Sequence, residues 1–180
     1  MHVLVTAASK YGGTAGIAEA IGRELEEHGL DVDVLPVEEV DDVSKYDSVV
    51  LGSGVYAGRW LKPARRFVDE HVGELATKPT WLFSSGPIGD PPKPGGHAAV
   101  KLGSTLEATG AREHRVFAGK LDKRRMTFAD RAIVTAVRSP DGDFRDWHEI
   151  ADWAGEIAAT LRGAQDESAS FAADTRLLQW

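Results

Sequence analysis

Apolar residues along this chain keep two rhythms in turn. Val3-Leu4-Val5-Thr6 is a short continuous apolar run, which predicts a strand buried on both faces. A polar, glycine-containing loop follows, and then Ile17, Ile21 and Leu25 at the four-residue spacing of a helix. Past Gly29, Val32, Val34 and Pro36 alternate with Asp31, Asp33 and Leu35 in a second strand. The proline places that strand near an edge, because it lacks the N–H a central ladder needs. Val49-Val50-Leu51 predicts a third strand, and Ala64, Phe67, Val68 and His71 a second helix. After Pro79, Thr80-Trp81-Leu82-Phe83 reads as a fourth strand. Ala99, Leu102 and Leu106 suggest a modest helix weakened by Gly103, and a fifth strand runs from Glu113 to Gly119. The last helix is the clearest: Trp147, Ile150, Ala154, Ile157, Ala158 and Leu161 share one face, and Asp146-x-x-Glu149 resembles a capping box.

Strands alternating with helices, and too apolar to face water, predict an α/β fold with a parallel sheet covered on both sides. Right-handed crossovers then connect them. Five strands fit a three-layer, doubly wound sandwich of order 2-1-3-4-5, whose ligands bind beyond the C-terminal ends of strands one and three. Residues 1–162 form this domain, and 163–180 a tail dominated by Ala, Ser, Asp and Gln, either loosely docked or anchored through Trp180.

Composition narrows the chemistry. Of 180 residues, 21 are Lys or Arg and 28 are Asp or Glu, a formal charge of −7 that speaks against nucleic acid as a partner. There is no cysteine, which excludes disulfides, a thiol nucleophile and cysteine-ligated metal or iron–sulfur centres. The six histidines show no metal-ligand spacing, so no metal is expected, and His97 is the one histidine close to a candidate loop. Met1 to Thr6 enters an apolar strand without a basic leader, and no apolar stretch nears the ~20 residues a membrane helix needs. The expectation is a cytoplasmic protein whose membrane contact, if any, is peripheral.

Three glycine-containing loops are expected at the same sheet edge. The first, Ser9-Lys10-Tyr11-Gly12-Gly13-Thr14, joins a buried strand to a helix starting near Gly13. Helix-start amides, glycines that permit close approach, and the hydroxyls of Ser9 and Thr14 make a phosphate cradle. It is not a Walker loop, since no lysine precedes Thr14. The second, Gly52-Ser53-Gly54-Val55-Tyr56-Ala57-Gly58-Arg59-Trp60, offers Tyr56 and Trp60 as stacking groups or as packing residues. The third begins Ser84-Ser85-Gly86-Pro87. Together they describe a mononucleotide site with an aromatic head group. A phosphoacceptor receiver is excluded, because Thr6-Ala7-Ala8 and Leu51-Gly52-Ser53 supply no carboxylate where its magnesium and phosphate would sit.

On these residues the chain resembles the flavodoxin family of FMN proteins, whose phosphate loop is usually written [ST]-x-[TS]-G-x-T. Tyr11 departs from the usual hydroxyl residue at the third position. Within the family it looks most like the bacterial menaquinone-dependent protoporphyrinogen IX dehydrogenases. The Gly52–Gly58 loop, Arg66-Phe67-Val68, Ala118-Gly119-Lys120-Leu121 and Asp146-Trp147-His148-Glu149-Ile150-Ala151 carry that likeness. The resemblance implies FMN held by Ser9 to Thr14, Ser53 to Gly58, Trp60 and Ser84 to Pro87, with the redox chemistry supplied by the flavin and no catalytic side chain required.

The resemblance also implies a longer basic and aromatic insert before the last helix than this chain has. Here Asp122 to Arg138 carries a capping box, Thr127-Phe128-Ala129-Asp130, and an apolar stripe of Met126, Ala129, Ile133 and Val137. It reads as a helix covering the core, or as a basic surface in which Arg124 and Arg125, with Lys123, Arg131 and Arg138, receive propionates or anionic lipid head groups. Arg59 stands at the mouth as a flavin contact or a greeter of anionic substrate. Two functions follow: an oxidoreductase passing electrons from a bulky substrate such as a porphyrinogen through FMN to a quinone, or an electron carrier docking to redox proteins. A module that has lost its cofactor is a third, hinted at by Tyr11.

Overall fold

The computed structural model describes residues 1–56, 58–86, 102–136 and 141–177, and side chains among these except at 133, 134, 136 and 167–177. The elements run β1 (His2–Ala8), α1 (Gly13–Glu27), β2 (Asp31–Pro36), β3 (Ser48–Tyr56), β4 (Arg59–Trp60), α2 (Lys62–Thr77), β5 (Thr80–Ser85) and α3 (Gly103–Thr109). They continue with β6 (Glu113–Phe117), β7 (Lys120–Leu121), α4 (Phe128–Ala136), β8 (Gly142–Asp143) and α5 (Trp147–Leu177). Five strands pair in parallel in the order β2-β1-β3-β5-β6, the expected 2-1-3-4-5 arrangement. β4 adds an antiparallel pair to the end of β3, and β7 and β8 form a small separate hairpin.

The continuous apolar runs have the anticipated cause. Alternate residues of each central strand enter different layers. Val3, Val5, Ala7, Val50, Trp81 and Phe83 pack with Ile17, Ile21 and Leu25 of α1 and with Ile150, Trp153 and Ile157 of α5. Leu4, Ala8, Val49, Leu51 and Leu82 pack on the opposite face with Ala64, Phe67, Val68 and Leu75 of α2. A Cβ at Gly52 would stand 2.1 Å from the Phe83 ring, so glycine there lets the ring lie flat on the sheet. Phe83 then meets Trp153 edge-on, their centroids 6.3 Å apart.

Several boundaries differ from the sequence expectation. The second expected loop is strand as far as Tyr56: β3 outruns its neighbours and folds back on itself, Val55 opposite Trp60 and Tyr56 opposite Arg59. Gly58, at φ +75°, takes the left-handed position of that turn, which a side chain would resist. Ser84 and Ser85 likewise belong to β5. α5 continues beyond Gly163 to Leu177, into the segment expected as a tail. A lone glycine costs a helix only about 1 kcal/mol, and Ala, Gln and Glu around it favour the helix. Ala57, Pro87, His97, Val137, Arg138 and Trp180 lie outside the described residues. Among the described residues, no helix is long and apolar enough to cross a membrane.

Candidate functional site

The C-terminal ends of β1 and β3 meet at the point where the strand order reverses, and the loop Ser9–Gly12 rises there into α1. Gly12 turns the chain in the left-handed conformation, φ +82°, and its carbonyl accepts the first helical bond from Gly16 N–H at 3.1 Å. No side chain caps this helix and no acidic residue stands in its first turn. Its leading N–H groups and the positive end of its dipole therefore face the crevice without an anion of their own.

Two further features fit a phosphate at this place. Ser9 Oγ is sealed from solvent, and no described residue bonds it. A buried hydroxyl in that condition costs roughly 1–3 kcal/mol until a partner arrives. Thr14 is buried in the first turn of α1, and a Cβ at Gly54 would stand 3.2 Å from its Oγ1 and 3.5 Å from the Tyr56 ring. Gly54 is thus the gap through which β3 and α1 come together around the crevice. The cradle in the structure fits the phosphate of a flavin mononucleotide.

The expected ring contacts divide. Tyr56, 37% exposed, remains available at the rim, and burial together with the nearby Tyr11 and Asp130 pushes its phenol up to about 12. Trp60 takes the packing alternative: it is 3% exposed, and its indole N–H donates to Ser84 Oγ at 2.8 Å. Ser84 Oγ also bonds His114 Nε2 at 2.8 Å, so its hydroxyl serves the interior. Ser53 Oγ donates to the Gly54 carbonyl at 2.9 Å and accepts from Leu61 N–H at 3.0 Å, which holds the chain entering α2. Val55 is half-buried, Ser85 buried, and Gly86 N–H donates to the Phe117 carbonyl at 3.1 Å. Arg59, Arg124 and Arg125 are exposed.

Lys10 and Tyr11 point to the segment after β7. Lys10 Nζ lies 2.6 Å from Asp130 Oδ2, and the Tyr11 hydroxyl donates to the same oxygen. Lys10 Nζ also stands 5.6 Å from the ring centroids of both Tyr11 and Tyr56. The bond from Lys10 is the largest cause that holds the Asp130 carboxyl down at about 2, with Tyr11 and Thr127 adding to it. Thr127 Oγ1 accepts from Asp130 N–H at 3.3 Å, the expected cap of α4. Of the expected core stripe Met126 is buried and Ala129 exposed, while the Ile133 side chain and Val137 lie outside what the structure describes.

Arg145, which the sequence reading passed over, closes the other side of the loop. Its guanidinium is 9% exposed, donates to the Gly13 carbonyl at 3.2 Å, and forks onto Asp143. It lies 4.2 Å from the Trp147 ring centroid. The space it occupies exists because residue 16 is glycine: a Cβ there would stand 2.5 Å from Nη1. An unexplained glycine in the first turns of a helix was the available signal.

Comparison with known proteins agrees with the fold. The family model described as a flavodoxin domain matches residues 4–147. Protoporphyrinogen IX dehydrogenase (quinone) of Escherichia coli strain K12 is 24% identical over 172 residues, covering 88% of this chain and 95% of that protein. Among solved structures, a flavodoxin from the domain Archaea superposes with a TM-score of 0.61 at 22% identity, covering 90% of this chain and 99% of that one. Flavodoxin 1 from Bacillus cereus gives 0.60 at 18% identity, with 88% and 98% covered. Rubredoxin oxygen:oxidoreductase from Desulfovibrio gigas gives 0.62 at 16% identity, with 90% of this chain but 36% of that one covered.

Proposed function

The chain belongs to the flavodoxin domain family, and from that premise we propose that it is an FMN-dependent oxidoreductase that passes electrons from a bulky anionic substrate, of the porphyrinogen class, to a quinone. When bound, the flavin supplies the redox chemistry by accepting a hydride or single electrons. This chain's residues hold and orient it: the amides of Gly12 to Thr14 with Ser9 and Thr14 Oγ at the phosphate, and Tyr56 at the rim for the ring.

The observation that carries the enzymatic reading is that Asp130, within the extra segment after β7, is bonded to Lys10 and Tyr11 of the first loop. An electron carrier needs an open flavin edge and a docking face, whereas a dehydrogenase gains from extra chain that shapes a substrate site. The coverage of the quinone-linked relative supports the same reading. On this proposal Arg59, Arg124 and Arg125 meet substrate carboxylates. Phe128, 88% exposed among Lys123, Arg124, Arg125 and Arg131, suits a peripheral contact with anionic lipid on the cytoplasmic side.

The test is the reoxidation of the protein's reduced flavin by a menaquinone analogue. It should outpace that of free FMN under the same conditions, and an equal rate ends the quinone-linked proposal. The acidic balance of the chain favours the second reading, a flavodoxin-type carrier. That reading requires a reductive titration resolved into two separate one-electron steps and no acceleration of porphyrinogen oxidation.

A further inference from the structure

Among its described side chains, α4 shows no apolar anchor. Of its side chains whose burial is described, those at 128, 129, 131, 132 and 135 are exposed, and Asp130 is the one that is not. The contacts that fasten it, among the described residues, are polar. Asp130 Oδ2 receives Lys10 Nζ at 2.6 Å, the Tyr11 hydroxyl, and Thr127 Oγ1 at 2.9 Å. The Tyr11 oxygen in turn accepts from Thr127 N–H at 3.3 Å, so the phenol is bonded twice to a segment 116 and 119 residues away in the chain. The backbone of Tyr11 leads directly into Gly12, the left-handed residue on which the loop turns.

We infer that Tyr11 and Asp130 are positioning residues that clasp the segment Asp122–Ala136 to the phosphate loop and thereby set how firmly the loop grips a flavin phosphate. This rests on the proposed binding of FMN. The loop next to a glycine has many conformations to lose on binding, and a phenol tethered at its shoulder removes some of them in advance. The Tyr11 hydroxyl, bonded to Asp130 and to Thr127 N–H, thus holds the loop from outside. The extra segment, on this inference, is a fixed wall of the cofactor site.

The experiment compares Tyr11→Phe and Asp130→Asn with the full wild-type chain in two measurements. The first is amide hydrogen exchange over residues 122–136 without flavin. The second is affinity for FMN and, separately, for riboflavin, which lacks the phosphate. The clasp predicts faster exchange in both variants, FMN weakened about tenfold, as expected for losing one charge-assisted hydrogen bond, and riboflavin unchanged. Tyr11→Phe leaves every charge in place, so its loss of FMN affinity cannot come from altered electrostatics. Unchanged exchange overturns the clasp. Tighter FMN binding by Asp130→Asn overturns it too, since Asp130 would then only be masking Lys10 from the phosphate, and so would equal weakening of the two flavins. If the wild-type chain takes up neither flavin, the proposed function fails along with the role in phosphate grip, while exchange still reports whether Tyr11 and Asp130 hold the segment.

Discussion

Two carboxylate–cation pairs stand on either side of the first turn of α1, and they are built in opposite ways. Asp143 and Arg145 are two residues apart, and the guanidinium is nearly enclosed between Asp143, the Gly13 carbonyl and the face of Trp147. Asp130 and Lys10 come from distant parts of the chain, and the lysine side chain is 41% exposed. The first pair is made by local sequence and sealed by packing, so it stabilises the fold. The second pays loop-closure entropy and stays in contact with water, so it contributes little net stability but decides which segments move together. Proximity to the same loop does not make two ion pairs equivalent.

Removing Arg145 should have the largest effect. Arg145→Ala takes the guanidinium from the Gly13 carbonyl, leaves Asp143 with the backbone N–H of residue 145 at 3.3 Å and Lys120 at 3.9 Å, and uncovers Trp147. A loss of about 2–3 kcal/mol in a denaturant titration is expected, as for other enclosed charged partners. A loss below 0.5 kcal/mol, on the scale of roughly 0–1 kcal/mol for surface pairs, would erase the difference between the two pairs.

Gly16→Ala probes the same contact from the helix side. Alanine improves helix propensity by about 0.8–1 kcal/mol, but its Cβ would displace the guanidinium 2.5 Å away. The two effects should nearly cancel in the wild-type chain, whereas in Arg145→Ala the substitution should be stabilising by about 1 kcal/mol. A double-mutant cycle showing no coupling would mean that Arg145 does not use the space at Gly16.

The sheet was legible because its strands are buried on both faces and its helices keep a clean period; the run Val3-Leu4-Val5 has no other stable place in a chain of alternating elements. The glycine turn into α1 was legible for a local reason too, since Gly12, Gly13 and Thr14 stand together in sequence. What stayed hidden was long-range. Nothing near Trp60 announces that its indole is taken up by Ser84, and nothing near Asp130 announces Tyr11. Of the stripe of Met126, Ala129, Ile133 and Val137 that suggested a core-covering helix, Met126 is buried and Ala129 exposed, so periodicity alone did not say which of its positions would find a surface to receive them. The return of β3 as β4 was missed because small residues at Gly52 to Gly54 read as loop when they serve close packing instead.

Asp130→Asn should cost less stability than Arg145→Ala, under about 1 kcal/mol, because its partner lysine is well solvated.

The smallest effect is the most specific to the exposed pair. Three donors stabilise the ionised Asp130 and lower its titration from the ordinary 3.8 to about 2. A depressed carboxylate contributes its stability in full above the ordinary value and loses it as the pH falls through the lowered one. The clasp should therefore be constant from neutral pH down to about 4 and open only as the pH approaches 2, so no pH dependence of loop grip near neutrality should arise from Asp130. Carbon-13 NMR of the Asp130 side chain would follow this directly. Because the bond from Lys10 is the largest cause, followed by Tyr11 and then Thr127, the titration should rise most in Lys10→Met, less in Tyr11→Phe and least in Thr127→Val. A wild-type midpoint near 3.8 would mean that the donors do not converge on Asp130 in solution, and the contrast between the two pairs would then reduce to one buried arginine.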